Sequence, residues 1–321
     1  MRTTEKRWLL AAGVLTALGL FVVFGVRFIC RSDADKLAAV KYETNTYTVQ
    51  QAFRSISIVT STDDVALAQS ADETCAVVCK EQEKVRHSAD VRDGTLTVRE
   101  TDTRQWYERL FTSSPESPTV TVYLPQSTYE TLTVDADTGS VRIPAAFRFT
   151  EIDVTTDTAD VLCAADASGN VRIATDTGDV VVDSITADTL DLTVSTGDVT
   201  VRNVKCGGSA ALRVSTGKAQ LTGLTCGSFT STGSTGDLTM QDVRVREKAS
   251  VERSAGDVRF ERCDAAEICV TTDTGDVSGS LLSDKVFFAQ SDTGRIDVPK
   301  TISGGRCEIV SSTGDITMRV V

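Results

Sequence analysis

Along most of this chain, apolar and polar residues alternate one by one. In LDLTVS, Leu190, Leu192 and Val194 fall on one face, and Asp191, Thr193 and Ser195 on the other. The same parity runs through Val180 and Val182, Val199 and Val201, Leu238 and Met240, Val258 and Phe260, and Ile316 and Met318. Alternation at period two marks half-buried β-strands, and the helical spacing of three to four is absent. The strands come at a fixed interval. A glycine follows Asp-Thr or Ser-Thr, or stands in a close variant, at Gly139, Gly178, Gly197, Gly217, Gly236, Gly256, Gly275, Gly294 and Gly314, and Ala159 in TADV fills the remaining slot. Successive gaps are 19 or 20 residues.

A unit of this length with two short strands cannot bury its apolar face alone. Stacked on its neighbours it builds a continuous core, which predicts an all-β, single-stranded β-solenoid (β-helix-like) with equivalent residues about 4.8 Å apart. Some ten regular coils would extend roughly 45–50 Å. The glycines are expected at tight corners that need positive φ. The Asp or Ser before each is expected to close a local turn onto a backbone N–H two residues on. This placement also disposes of a protease reading. Asp-Thr-Gly occurs at Asp137, Asp176, Asp273 and Asp292, but an aspartic protease needs one carboxylate dyad, and a motif recurring with the coil period is architecture.

The pattern changes towards the amino terminus. Residues 1–7 form a short basic tail, and residues 8–30 contain a 19-residue apolar run, Trp8 to Val26, long enough to cross a bilayer. The run exceeds the apolar core of a cleaved signal peptide, and no A-x-A-like site follows. We therefore expect one uncleaved transmembrane helix, with the solenoid on the extracytoplasmic side. Residues 31–44 read as a linker, 45–130 as irregular first coils that cap the solenoid, and 131–321 as its regular repeats. Within the cap, Thr103 to Pro118 breaks the alternation and reads as an excursion loop or short helix. The chain stops at GDITMRVV, so Val320 and Val321 are expected either to be covered by a loop or to self-associate through the C-terminal coil.

Composition narrows the chemistry. The net charge of −12 argues against nucleic acid as a partner. Part of that charge is a ladder at one turn position, Asp160, Asp179, Asp198, Asp237, Asp257, Asp276 and Asp315, interrupted by Lys218 and Arg295. Stacked carboxylates could take Ca²⁺; the alternative is a row of solvated turn caps. No other metal and no cofactor is expected. The nine cysteines lack a CxxC pair, but Cys206 and Cys226 each lie nine residues after a corner glycine and should stack on adjacent coils as a thiol pair. The one histidine, His87, lies in the charged stretch KVRHSAD and is expected to be exposed. Phosphate-loop, dinucleotide and nucleophile-elbow motifs are all missing. Outward Arg172, Arg202, Arg213 and Arg259 are too scattered to suggest a carbohydrate-active site.

The order F-x-x-I-x-I from Phe53, DDVAL, DGTLTV, VYLP, LTVDADTGSVRI and then repeated TGDV turns resembles the bacterial putative-adhesin family of β-strand repeats. The resemblance covers about residues 45–321. It implies a bacterial envelope protein and transfers no catalytic residues. The function expected is a membrane-anchored, non-catalytic module binding an unknown protein or glycan. An accessory subunit in envelope sensing is the alternative, and a β-helix enzyme acting on carbohydrate stands behind both.

Overall fold

The structure is a computed structural model that describes residues 41–105 and 117–321. The apolar run at 8–26 and most of the Thr103 to Pro118 excursion lie outside the described residues. Among the described residues no helix is long and apolar enough to cross a membrane. The described residues form thirty strands in one continuous sheet wound into a β-solenoid of about ten turns, as the alternation predicts.

Each regular turn has three strands, where the periodicity suggested two. In one turn they are Asn170–Thr177, Val180–Asp183 and the two-residue Thr186–Ala187. The third is too short to show alternation. Its corner uses a second column of left-handed residues, Ser184, Asn203, Gly223, Asp242 and Arg262, with φ between 51° and 70°. Four of these five are not glycine, so the corner leaves no compositional signal.

Parallel pairing is in register from turn to turn. Ile152, Val171, Leu190, Ala210, Phe229, Ala249 and Ile268 form one inward column, and Val180, Val199, Ala219, Leu238, Val258 and Val277 another. All are buried, and each larger apolar side chain taken from water contributes about 1.5–3 kcal/mol before entropic costs. The first corner shows why glycine recurs. Gly197 has φ +146°, and a Cβ there would sit 2.0 Å from the carbonyl oxygen of Gly178 on the turn below.

The ladder carboxylates, one residue after each corner glycine or Ala159, act as turn caps between coils. Each Asp carboxylate reaches along the solenoid axis and not around its own corner. Asp160 Oδ1 accepts from Asp179 N–H, Asp179 Oδ1 from Asp198 N–H, and Asp198 Oδ1 from Lys218 N–H, each at 2.8 Å. Asp237, Asp257 and Asp276 accept in the same way from Asp257, Asp276 and Asp315. Charge-assisted bonds of this kind tie each turn to the next and offset part of the repulsion between carboxylates.

Sequence order and spatial order part at both ends. At the C-terminal end, Gly305–Thr313 pairs with Val258–Thr274 on one side and with Lys285–Ser291 on the other. Ile316–Val320 likewise lies between Val277–Leu281 and Ile296–Asp297. The last turn in sequence is therefore inserted beneath the one before it, and GDITMRVV is not the outer edge. Val320 is paired, Val321 N–H donates to Leu281 O at 3.0 Å, and the exposed end belongs to residues 285–304, with Phe288, Ile296 and Ile302 at its surface.

The N-terminal end is inverted too. Ser55–Thr60 and Asp64–Gln69 stack directly on the turn of Thr128–Thr138 and Val141–Ile143. Beyond them lie Thr95–Asp102 and Thr119–Leu124. The outermost strands are antiparallel: Val85–Arg92 on Thr95–Asp102, Cys75–Gln82 on Thr119–Leu124, and Tyr42–Val49 on Cys75–Gln82. Changing the pairing pattern at this end gives the next parallel turn no template, which blunts the edge.

Candidate functional site

Two features stand out from a surface of scattered ion pairs. The first is the first corner itself. Thr138, Thr158, Thr177, Thr196, Thr216, Thr235, Thr274 and Thr313 are in register across nine successive turns, and Ala255 fills the remaining position. All eight threonines are exposed, as are the residues before them: Asp137, Asp157, Asp176, Ser195, Ser215, Ser234, Asp273 and Ser312. Because Gly305–Thr313 is inserted next to Val258–Thr274, Thr313 continues the row despite its place in the sequence. The ridge thus presents hydroxyls and carboxylates at a repeat of about 4.8 Å.

The arginines do not form a site. Arg172 pairs with Asp153 at 3.1 Å, Arg213 with Asp191, and Arg259 with Glu261 at 2.8 Å. Arg172 and Arg213 stand on the long-strand face, and Arg202 and Arg259 on the short-strand face. Cys206 and Cys226 do occupy adjacent turns, since Lys205 pairs with Thr225. Both are buried free thiols, and burial pushes them up to about 11 and about 12. They pack as small apolar side chains, with no tendency to ionise.

The second feature is interior. His87, expected at the surface, is buried in the N-terminal cap with its side chain fully out of solvent. Its Nδ1 lies 2.8 Å from Glu81 Oε2 and its Nε2 3.1 Å from Asp63 Oδ2. Four elements converge there. Asp63 sits in the turn after Ser55–Thr60, Glu81 on Cys75–Gln82, His87 on Val85–Arg92 and Glu100 on Thr95–Asp102. Glu81 is saturated: it accepts from Asn45 Nδ2 at 2.6 Å, His87 N–H at 2.7 Å, Arg86 Nη1 at 3.3 Å and Tyr47 OH at 3.3 Å. Thr60 OH donates to Asp63 Oδ2, and Glu100 Oε2 accepts from Ser61 N–H at 2.8 Å. Among the described residues, Asp63 Oδ1, also buried, has no partner.

Burial opposes charge on His87, but the hydrogen bonds and charges of Asp63 and then Glu81 outweigh it and hold the imidazole above its ordinary value. For Glu81 burial works upward, and donation from Asn45, His87 and Arg86 overcomes it, leaving the carboxyl below the usual range. Glu100 moves the other way: burial raises it, and although Ser61 N–H opposes, the charge of Asp63 adds to the rise. These directions describe a group with more carboxylate than it can comfortably keep ionised.

Sequence reasoning missed all four residues, although parity carried the signal. In CAVVCKEQ, Glu81 shares its face with Cys75, Val77 and Cys79; in VRHSA, His87 shares its face with Val85 and Ala89. A charged residue at an inward position is the mark of a buried polar network.

Comparison with known proteins follows the fold. The family model Toastrack DUF4097 matches residues 53–319. The chain belongs to the Toastrack family. No curated protein matches it. Among solved structures, this Toastrack chain is similar to a putative lipid binding protein from Parabacteroides distasonis at 13% identity, covering 74% of this chain and 96% of that one with a TM-score of 0.50. It is also similar to a putative adhesin from Parabacteroides merdae (14% identity, 87% and 96% covered, TM-score 0.48). A putative adhesin from P. distasonis is a third (16% identity, 74% and 97% covered, TM-score 0.49). At such identities the likeness shows the fold alone.

Proposed function

We propose that this Toastrack chain is a membrane-anchored, non-catalytic interaction module that presents its solenoid at the bacterial envelope and binds an extended, repetitive partner, protein or glycan, along the first corner. The observation that carries this reading is the row of eight exposed threonines in register. Side chains held on a rigid sheet at a fixed repeat lose little entropy on binding, and many weak contacts along a polymer add through multivalency. The apolar run at Trp8 to Val26 supports the anchor, with its flanking arginines and Trp8 where interfacial residues belong. The local pairing and wide spacing of the arginines support a non-catalytic role.

The test replaces Thr177, Thr196, Thr216 and Thr235 with valine in the full chain. The change keeps shape and strand preference but removes four hydroxyls. Co-sedimentation of the detergent-solubilised chain with isolated cell-wall sacculi and with intact cells is expected to fall at least about tenfold. Undiminished retention of a variant with unchanged circular dichroism would overturn the proposal. A C-terminal tag cut by protease added to intact cells is the outcome expected for placement, and a tag protected until lysis would remove the envelope-surface part of the reading.

A further inference from the structure

The buried group around His87 has a shape that the corner ridge does not explain. On its Nδ1 side, Glu81 is fully occupied by donors and fixes the ring. With Nδ1 donating to Glu81, a neutral His87 turns its Nε2 lone pair towards Asp63 Oδ2, itself an acceptor, at 3.1 Å. Two acceptors at that distance need a proton or a cation between them. Asp63 Oδ1 is buried and unpartnered. Glu100 completes the set: ligand atoms from Asp63, His87 and Glu100 all lie within 4.8 Å of one another. Three carboxylates, Asp63, Glu81 and Glu100, face His87 and Arg86, and Arg86 is shared with Glu43 at 3.0 Å. Fully ionised, the three carboxylates would outweigh a charged imidazole and the shared Arg86, in a group that is buried except at Glu100, which is half-buried, and Arg86.

We propose that Asp63, His87 Nε2 and Glu100 form a site for one divalent metal ion of mixed nitrogen and oxygen preference, Zn²⁺ or Mn²⁺, with Glu81 as the carboxylate that orients the imidazole. Ligands about 2.1 Å from an ion stand about 3.0 Å apart at the right angle of an octahedral centre and about 3.4 Å apart in a tetrahedral one, and the Nε2 to Oδ2 distance of 3.1 Å falls between the two. One imidazole with two carboxylates suits these ions and disfavours Ca²⁺, which takes oxygen alone. A carboxylate on the far nitrogen of a ligating histidine is the usual outer support of such centres. Cys79 and Glu81 flank the other nitrogen, but that side has no vacant acceptor: every contact of Glu81 is already made. Glu100 is half-buried and gives the ion its way in. Bound there, the ion joins the turn before Asp64–Gln69 to both strands of the Val85–Arg92 and Thr95–Asp102 hairpin, and so fastens the cap to the first turn of the solenoid.

The test uses the full chain in detergent, stripped with chelator and dialysed. Titration with Zn²⁺ or Mn²⁺ alone, followed by calorimetry and elemental analysis, is expected to show one tight equivalent and a rise in the unfolding midpoint. Asp63→Asn and Glu100→Gln keep side-chain shape and are expected to weaken binding at least about 100-fold. Glu100→Gln, on a half-buried residue, serves if Asp63→Asn does not fold. Asp179→Asn, on the exposed ladder, is expected to leave the tight equivalent in place. Absence of a tight equivalent in the folded chain would overturn the proposal, as would tight binding that survives Glu100→Gln or disappears with Asp179→Asn.

Discussion

The middle of the solenoid and its two ends are built from the same strands but stacked by different rules. From Val141 to Leu281 each turn rests on the one before it in sequence, and corner, cap and inward-column positions recur in order, with Ala159 in one glycine slot and Lys218 in one Asp slot. At the ends the order inverts: Gly305–Thr313 slips beneath Lys285–Ser291, and Ser55–Gln69 lies closer to the middle than the later Cys75–Leu124. Periodicity records what each turn looks like to a neighbour and is silent about which neighbour it meets. Gly314 fits over Gly275 as well as Gly294 could, because both carry the same corner, and Asp315 N–H donates to Asp276 Oδ1 at 2.7 Å as any successor would. The ends spend this freedom on closure: antiparallel strands and a buried ionic group at one, an inserted final turn at the other.

The largest contrast lies between two glycines with positive φ. Gly197→Ala in the middle would place Cβ 2.0 Å from Gly178 O and 3.3 Å from Asp179 Oδ1. Backbone on two turns must move, so the expected loss exceeds about 4 kcal/mol or the chain fails to fold. Gly94→Ala, in the turn that joins the cap hairpin, meets nothing within 4 Å at φ +75°, and only the left-handed backbone is taxed, by about 1–2 kcal/mol. Urea unfolding of the two variants side by side decides it: equal losses would mean that corner stacking does not set stability in the middle.

Second in size is His87→Ala. It leaves Asp63 and Glu81 buried without the group that joins them, at an expected cost of about 3–5 kcal/mol. Because the group belongs to the cap alone, hydrogen exchange should accelerate in Cys75–Gln82 and Val85–Arg92 while Val180–Asp183 stays protected. Uniform acceleration over the whole solenoid would show cap and middle to be one cooperative unit.

The middle has one exception of its own, and it gives the third prediction. Arg253 occupies an inward column, after Val194, Val214 and Gly233. Among the described residues it is buried with a single partner, Ser231 Oγ at 2.8 Å from Nη2, while Nε and Nη1 have none. A Cβ on Gly233 would lie 1.7 Å from Nη1, so the glycine provides the room. Burial without a carboxylate lowers the guanidinium from its ordinary value. Arg253→Leu removes an uncompensated buried charge and is expected to stabilise by about 1–3 kcal/mol, read as a higher urea midpoint at constant slope. A destabilised variant would mean that Arg253 is better satisfied than its contacts show.

These cases also mark what could be read from the chain before its structure. The corner period, the inward columns and the adjacency of Cys206 and Cys226 are local repeats and were legible. The parity of Glu81, His87 and Arg253 is equally visible, but the charged stretch around His87 reads as a surface segment, and that reading hides the cap network. The second corner was not legible, since Ser184, Asn203, Asp242 and Arg262 adopt positive φ with no shared residue type. The inversions were not legible either, because identical corners leave several stacking orders consistent with one pattern.

The smallest effect concerns how the inverted C-terminal turn is held. Lys285 is buried, and its Nζ donates to Asp264 Oδ1 at 2.7 Å and also to Ser283 Oγ. This bond fastens the start of Lys285–Ser291 to Val258–Thr274, the turn on the far side of the inserted strand. Burial alone would raise the Asp264 carboxyl, yet donation from Lys285 and then Ser283 holds it below its ordinary value. A carboxyl depressed on folding contributes stability above its unfolded pKa of about 3.9. That contribution falls away as pH drops below about 4 and through the lower folded value. Asp264 is part-exposed, so screening keeps the effect small. Limited proteolysis with pepsin between pH 5 and pH 2 is expected to open residues 285–304 before Val180–Asp183, with Asp264→Asn opening them to the same extent at every pH in that range. If wild type and Asp264→Asn shared one pH profile, the ion pair would not be the fastening, and the end turn would be held by the packing of Phe287 and the parallel pairing to Gly305–Thr313 alone.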